Sequence, residues 1–229
     1  MKIGGLTKTS LIEYPGMISA VVFTQGCNFR CPYCHNPELV EPSLSNPKIP
    51  EDEVIDFLKR RKKYLEAVVI TGGEPCLQED LIDFIVKLKE IGYMVKLETN
   101  GSFPEVLSKI IERKLVDFIS MDIKGPLDKY DIIAGVKVDI SKIKESISLI
   151  MDSGIDFEFQ TTVVKSMLEE KDFEKIGNLI KGAKSYVLQR FVPSKTLNPE
   201  FMKEETYSDE KLNEIKKIME KYVLNCRIR

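Results

Sequence analysis

Residues 18–35 read ISAVVFTQGCNFRCPYCH. The first seven of them, 18–24, are β-branched, aromatic or small, which is strand composition. Gly26 ends the run, and three cysteines follow within eight residues. A buried strand delivering a cysteine loop at its C-terminal end is a site geometry, and the same strand pattern returns along the chain. Runs near 66–71 (EAVVIT), 93–99 (YMVKLET), 116–122 (VDFISMD), 156–163 (DFEFQTTV) and 184–191 (KSYVLQRF) predict further strands. Amphipathic runs near 50–63, 78–91, 103–113, 140–152 and 169–181 predict helices between them, and a last helix fits 208–222. Strand and helix alternating in this way imply right-handed βαβ units around a parallel sheet. Six units suggest an α/β fold of the incomplete (β/α)6 parallel-barrel kind. A doubly wound sheet is the alternative, since strand order is not written in the sequence.

The bulk properties narrow the class. Apolar residues make up 43% of the 229, enough for one substantial core, and a single domain over 1–229 is expected. The 34 basic and 36 acidic residues are mixed along the chain. That excludes a nucleic-acid binder driven by phosphate neutralisation and leaves no polybasic patch for a membrane surface. The start, MKIGGLTKTS, has no apolar stretch of the signal-peptide kind, and no run approaches the ~18 apolar residues of a span. Five cysteines, three of them clustered, read as metal chemistry in a reducing compartment, so a cytoplasmic protein is expected.

The stretch 25–49 is about twice the ~12 residues beyond which structureless loops become uncommon. It carries Cys27, Cys31 and Cys34, spaced so that their thiolates can converge on one centre. Zinc could take these three with His35 in a closed tetrahedral site, although adjacent Cys34 and His35 would then share one ion. A four-iron cubane would be held by three thiolates with one iron left open, as catalysis requires. Ordinary buried thiols are the plain alternative. A second irregular stretch, 192–207, could form a lid or a docking edge.

Here the motifs carry a family resemblance. Cys-x3-Cys-x2-Cys with an aromatic, Tyr33, before the third cysteine resembles the signature of the radical S-adenosylmethionine superfamily. The blocks Gly5–Gly16, Phe23–Arg30 and Tyr33–Leu39 resemble the anaerobic ribonucleoside-triphosphate reductase activating proteins and, more distantly, the pyruvate formate-lyase activating enzymes. The resemblance implies a [4Fe–4S] cluster on Cys27, Cys31 and Cys34, with S-adenosylmethionine on the open iron. One electron would split the cofactor into methionine and a 5′-deoxyadenosyl radical, which removes hydrogen from a glycine of a large glycyl radical enzyme. A donor such as flavodoxin or ferredoxin would supply that electron.

In a parallel barrel the site lies at the C-terminal strand ends. Strand two ends in Gly72-Gly73-Glu74-Pro75, whose glycines would let backbone approach a ligand. By resemblance, this segment holds the cofactor's amino group through backbone and carboxylate oxygens. Strand three ends in Glu98-Thr99-Asn100-Gly101, where Asn100 could merely shape a turn. Asp122 and Lys124 share a parity. By resemblance, Lys124 would meet the cofactor carboxylate and Asp122 would join a monovalent-cation site, although Glu98 stands where the lyase activators have Asp. Gln160 and Thr162 lie on the polar face of strand five and could meet the ribose. Phe191 could stack on adenine or belong to the core. Cys76 and Cys226 read as structural thiols. The expected rim is Cys27, Gly73, Thr99, Asp122, Thr162 and Gln189. Two rival functions share parts of this pattern: a radical enzyme acting on a small molecule, and a non-enzymatic metal or electron-transfer module.

Overall fold

The computed structural model describes residues 1–44 and 47–229; residues 45 and 46, inside the predicted loop 25–49, lie outside the described residues. The chain begins with a hairpin. Strand β1 (Ile3–Tyr14) turns at Pro15-Gly16 and pairs antiparallel with β2 (Met17–Thr24). Gly16 takes φ +75 there, a left-handed value glycine adopts without steric cost. After β2 come the short α1 (Pro37–Val40), α2 (Glu51–Arg61), β3 (Ala67–Gly72), α3 (Leu81–Ile91), β4 (Met94–Thr99) and α4 (Pro104–Glu112). Then follow β5 (Phe118–Asp122), α5 (Tyr130–Ala134), α6 (Ile140–Asp152), β6 (Asp156–Val163), α7 (Glu170–Leu179), β7 (Tyr186–Arg190), α8 (Asp209–Met219) and β8 (Cys226–Ile228).

The strands lie in sequence order in one sheet, and every pair from β2–β3 to β7–β8 is parallel. An order that never reverses is barrel-like winding and rules out the doubly wound alternative, which needs a switch point. The six predicted strands are β2–β7. The sheet adds β1 at one edge and β8 at the other, and neither announced itself. β1 has only its two end residues buried and lacks an apolar face, while β8 has three residues.

The helices cover the outer face. Leu58, Phe84, Leu88, Leu107, Ile110, Ile143, Phe173, Ile176 and Leu212 are fully buried with Val68, Ile70, Leu97, Ile119 and Phe159 of the strands. Each such side chain contributes about 1.5–3 kcal/mol by leaving water. The inner face differs. Tyr14, Val21, Ala67 and Val69 form a separate small apolar cluster. On β4–β6 the inward positions are instead Lys96, Glu98, Ser120, Glu158, Gln160 and Thr162, matched by register: Glu98 beside Ser120, Ser120 beside Glu158.

Candidate active site

The parallel strands put one cavity at their C-terminal ends. Its interior volume is about 200 Å³, below the ~300–1,000 Å³ of typical small-molecule sites, and it opens to solvent. Its wall contains Cys27, Tyr33, Gly72, Gly73, Glu74, Thr99, Asn100, Asp122, Lys124 and Thr162, together with Cys31 and Cys34. Five of the six residues expected at one rim therefore meet there. Gln189 does not line the cavity, and neither does Gln160. Gln160, partly exposed, sits one inward step from Thr162 on the same face of β6, outside the cavity lining. His35, Phe29, Asn36, Val40, Thr71 and Glu98 also line it, and none was singled out as cofactor-binding.

The cysteine loop is held from several sides. The Gly26 N–H donates to Leu39 O at 2.7 Å and the Arg30 N–H to Ala134 O at 2.8 Å. Asn28 accepts from Asn100 Nδ2 at 2.9 Å and donates to Ser102 Oγ at 2.9 Å. Asn100 thus ties the third βα loop to the cysteine loop as well as shaping its own turn, where its Oδ1 takes the Ser102 N–H. The irregular stretch 192–207 is fastened along this loop rather than closed over the cavity. The N–H groups of Leu197 and Asn198 donate to Cys34 O and Pro32 O at 3.1 and 2.9 Å, and Lys195 pairs with Glu38 at 2.6 Å. Phe191 is buried and stacks on His35 at 5.3 Å, with Tyr33 edge-on at 6.5 Å. That makes Phe191 a buried support of the loop.

Burial pushes the Cys27 thiol up to about 12, with Glu74 adding to the rise. Cys31 and Cys34 are raised by burial too; the Tyr33 hydroxyl pulls Cys31 the other way. Such thiols stay protonated until a metal displaces the proton. Among the described residues no three His, Cys, Asp or Glu side chains are gathered tightly enough to chelate a single ion. A cubane asks for wider spacing, because each thiolate binds a different iron. The three thiols in one cavity wall therefore fit a cluster better than the closed zinc site. His35 Nε2 is buried in the same wall without a hydrogen-bond partner. Buried polar atoms are normally satisfied, so this wall is suited to a polar ligand. Cys76 is buried beside Glu74 and Thr99 outside the cavity, and Cys226 sits in the core.

The Gly-Gly-Glu-Pro turn works differently from expectation. A Cβ on Gly73 would stand 2.1 Å from Gly26 O, and one on Gly72 would stand 2.5 Å from the Thr24 N atom. These glycines are required by the close approach of the turn to the cysteine loop, not only by a ligand. Glu74 is fully buried. Its carboxylate takes the Cys76 N–H at 2.9 Å, the Thr99 hydroxyl at 2.7 Å and the Asn100 N–H at 2.7 Å. Glu74, which lines the cavity, is therefore also a brace between β3 and β4, and burial holds its carboxyl above its usual range.

Lys124 is no solvated loop lysine. It pairs with Asp122 at 2.8 Å. Burial lowers its pKa, but Asp122, the Tyr33 hydroxyl and the Cys31 thiol outweigh that and leave it well above normal. Glu98 is similarly engaged: Lys96 Nζ lies 2.8 Å from Oε1, and the Thr71 hydroxyl donates to Oε2 at 2.8 Å. Both carboxylates expected to offer a monovalent cation a place already hold an ammonium. This donor set does not fit the cation.

Residues 21–180 match the sequence profile of the Radical SAM superfamily. The chain belongs to that superfamily. A protein of Methanocaldococcus jannaschii named as a glycyl-radical enzyme activating enzyme is 37% identical, over 99% of this chain and 95% of its own. The pyruvate formate-lyase-activating enzyme of Clostridium pasteurianum is 30% identical over 86% of this chain and 83% of its own. Among solved structures, a domain of the pyruvate-formate lyase-activating enzyme from Bacteroides vulgatus shares the fold. Its TM-score is 0.59 at 17% identity, covering 72% of this chain and 99% of that domain. Superfamily membership brings S-adenosylmethionine and a [4Fe–4S] cluster as cofactors, and the cavity is the place in this chain where they fit. No helix among the described residues is long and apolar enough to cross a membrane.

Proposed function

We propose that this chain is a glycyl-radical-enzyme activase, with an anaerobic ribonucleotide reductase as its first-ranked partner and a pyruvate formate-lyase-type enzyme second. One observation carries the reading: among the described residues, none beyond Thr162 lines the cavity. The C-terminal third of the chain builds no wall around a small substrate, and the mouth is left to a loop presented by another protein. The names of the two relatives support the same class of partner. The N-terminal blocks rank the reductase ahead of the lyase, by resemblance.

In this reading Cys27, Cys31 and Cys34 would hold the [4Fe–4S] cluster. When bound, the cofactors would supply one-electron reductive cleavage of S-adenosylmethionine and hydrogen-atom abstraction from a glycine Cα of the partner, with methionine and 5′-deoxyadenosine as products. The electron comes from a donor of the flavodoxin or ferredoxin class. The protein's part is position and exclusion of water. Lys124, fixed by Asp122, presents a cation at the rim for the cofactor carboxylate. His35 Nε2 and the Thr162 hydroxyl offer polar contacts, and the backbone of Gly72 and Gly73 lines the wall between the cysteine loop and β4. Glu74, Thr99 and Asn100 brace that wall. A cytoplasmic location and a single domain over 1–229 complete the proposal.

The test is anaerobic. Reduced, cluster-loaded protein is mixed with S-adenosylmethionine and each candidate partner, and the partner is examined by electron paramagnetic resonance. A glycyl radical on the ribonucleotide reductase is the expected result. Cofactor cleavage with no radical on either partner, together with consumption of a small metabolite, would sink the activase reading and leave the superfamily assignment standing.

A further inference from the structure

Lys96 is the least explained charge in the molecule. It is a lysine in the middle of β4, fully buried, inside the barrel. Burying an ammonium is expensive unless it is paired and fully hydrogen-bonded. Here it is surrounded by oxygen. Glu98 Oε1 lies at 2.8 Å, Glu158 Oε1 at 3.5 Å, and the ammonium donates to Glu13 O of the hairpin at 2.7 Å. The Phe118 ring closes another side at 5.5 Å. Glu158 is itself fully buried and takes Arg227 at 2.8 Å and Arg229 at 3.2 Å, both from the C-terminal end of the chain. The Glu13 carboxyl also faces this group; burial raises its pKa, Glu98 raises it further, and Lys96 opposes both.

The position of this ammonium relative to the cavity gives it a role. Glu98 lines the cavity wall. The oxygen that Lys96 does not hold accepts the Thr71 hydroxyl, and Thr71 immediately precedes Gly72-Gly73. The Thr71 carbonyl in turn accepts from Thr24 Oγ1 at 3.1 Å. A chain of fixed contacts therefore runs from Lys96 through Glu98 to the turn that forms the wall. The site is rich in acidic groups: three thiols that must ionise to hold a cluster, with Glu74, Glu98 and Asp122 beside them. Lys124 answers Asp122 at the rim, and Lys96 answers Glu98 beneath it.

We infer that Lys96 is the built-in cation of this site, a positioning residue whose ammonium fills an oxygen-lined cage and so removes any need for a bound monovalent cation. The inference rests on the reading of the cavity as the S-adenosylmethionine site. The cage of Glu98, Glu158 and the Glu13 carbonyl is suited to a single positive charge of ammonium or potassium size. The side chain supplies it covalently, at fixed occupancy and regardless of the ions in solution.

The experiment has two arms. In the first, S-adenosylmethionine binding to the cluster-loaded wild-type protein is measured by calorimetry in sodium, potassium and tetramethylammonium chloride at equal ionic strength. Binding should agree within about twofold across the three, because the charge is already in place. A loss of about tenfold or more in tetramethylammonium, which is too bulky to enter a cage, would show a separate required cation and overturn the inference. In the second arm, Lys96→Ala is prepared without cluster, and its melting temperature is followed against n-propylammonium, the fragment that the substitution removes. A lowered melting temperature that rises with n-propylammonium but not with tetramethylammonium supports the cage. A variant as stable as wild type, or one that no cation restores, contradicts it. If Lys96→Ala does not fold, the first arm decides by itself. If wild-type protein fails to bind S-adenosylmethionine in any salt, the functional reading has failed, and the melting arm still decides whether Lys96 acts as a caged cation.

Discussion

The two halves of the barrel interior are built from opposite chemistries. On the side of β2 and β3 the inward residues are Val21, Ala67 and Val69, packed with Tyr14 into an apolar plug. On the side of β4 to β6 they are mainly Lys96, Glu98, Ser120, Glu158, Gln160 and Thr162, with Met94 and Phe118 at the base packed against the plug. The outer faces of both halves are equally apolar, since the helices cover both. The apolar half needs only shape to be stable. The charged half needs partners for every group, and it recruits them from the two terminal segments: the Glu13 carbonyl from the hairpin, Arg227 from the last strand and Arg229 just beyond it. The strands least visible in the sequence are thus the ones that complete the floor of the site.

The most severe way to break this contrast is to remove the acid at its centre. Glu158→Ala leaves Lys96, Arg227 and Arg229 without their shared carboxylate. It should destabilise the cluster-free protein by about 3–5 kcal/mol, read by chemical denaturation. A cost below 1 kcal/mol would mean that the arginines find solvent and that the network is ornamental. Next in size is Gly73→Ala, at the join between the charged half and the cysteine loop. The new methyl meets Gly26 O at 2.1 Å unless backbone moves, so a cost of about 1–3 kcal/mol is expected, with a fall in bound iron after reconstitution. Unchanged iron content would show that the two loops are not held by this contact.

A smaller effect sharpens the other half. Val69→Thr keeps the shape of the apolar plug but buries a hydroxyl there, at a cost of about 1 kcal/mol or a little more in thermal or chemical unfolding. No loss at all would indicate that this half is polar enough to accept the group. The smallest effect lies outside both halves. Lys211 reaches Glu170 and Glu214 on the exposed surface. Glu170→Ala should leave the melting temperature unchanged within error, because solvent screens such pairs; a clear drop would place α7 and α8 under more electrostatic control than their buried Phe173, Ile176, Leu212 and Ile215 suggest.

Strand runs such as ISAVVFT and DFEFQTTV were legible because a strand covered by helices on one face and closed on the other cannot hide its β-branched content. The cysteine loop was legible because three thiols at that spacing have few uses. β1 was not, because its residues Thr7 to Ser10 are polar on both faces and its strand character comes from pairing with β2. The glycines of the Gly-Gly-Glu-Pro turn were read toward a ligand, whereas their missing side chains face Thr24 and Gly26. That contact joins two loops far apart in sequence, and only tertiary structure reveals it. Lys96 does leave a trace in the sequence. In Val95-Lys96-Leu97-Glu98 the charges occupy every second position, so both share one face, opposite Val95 and Leu97, and a buried lysine there needs an acid.

The most direct test of the account concerns the three thiols at the mouth of the charged half. Protein reconstituted without air should bind about four irons per chain, and S-adenosylmethionine should alter the electron paramagnetic resonance spectrum of the reduced cluster. Cys31→Ala should lose both the iron and the response. Zinc at one per chain, or a cluster whose spectrum ignores the cofactor, would contradict it.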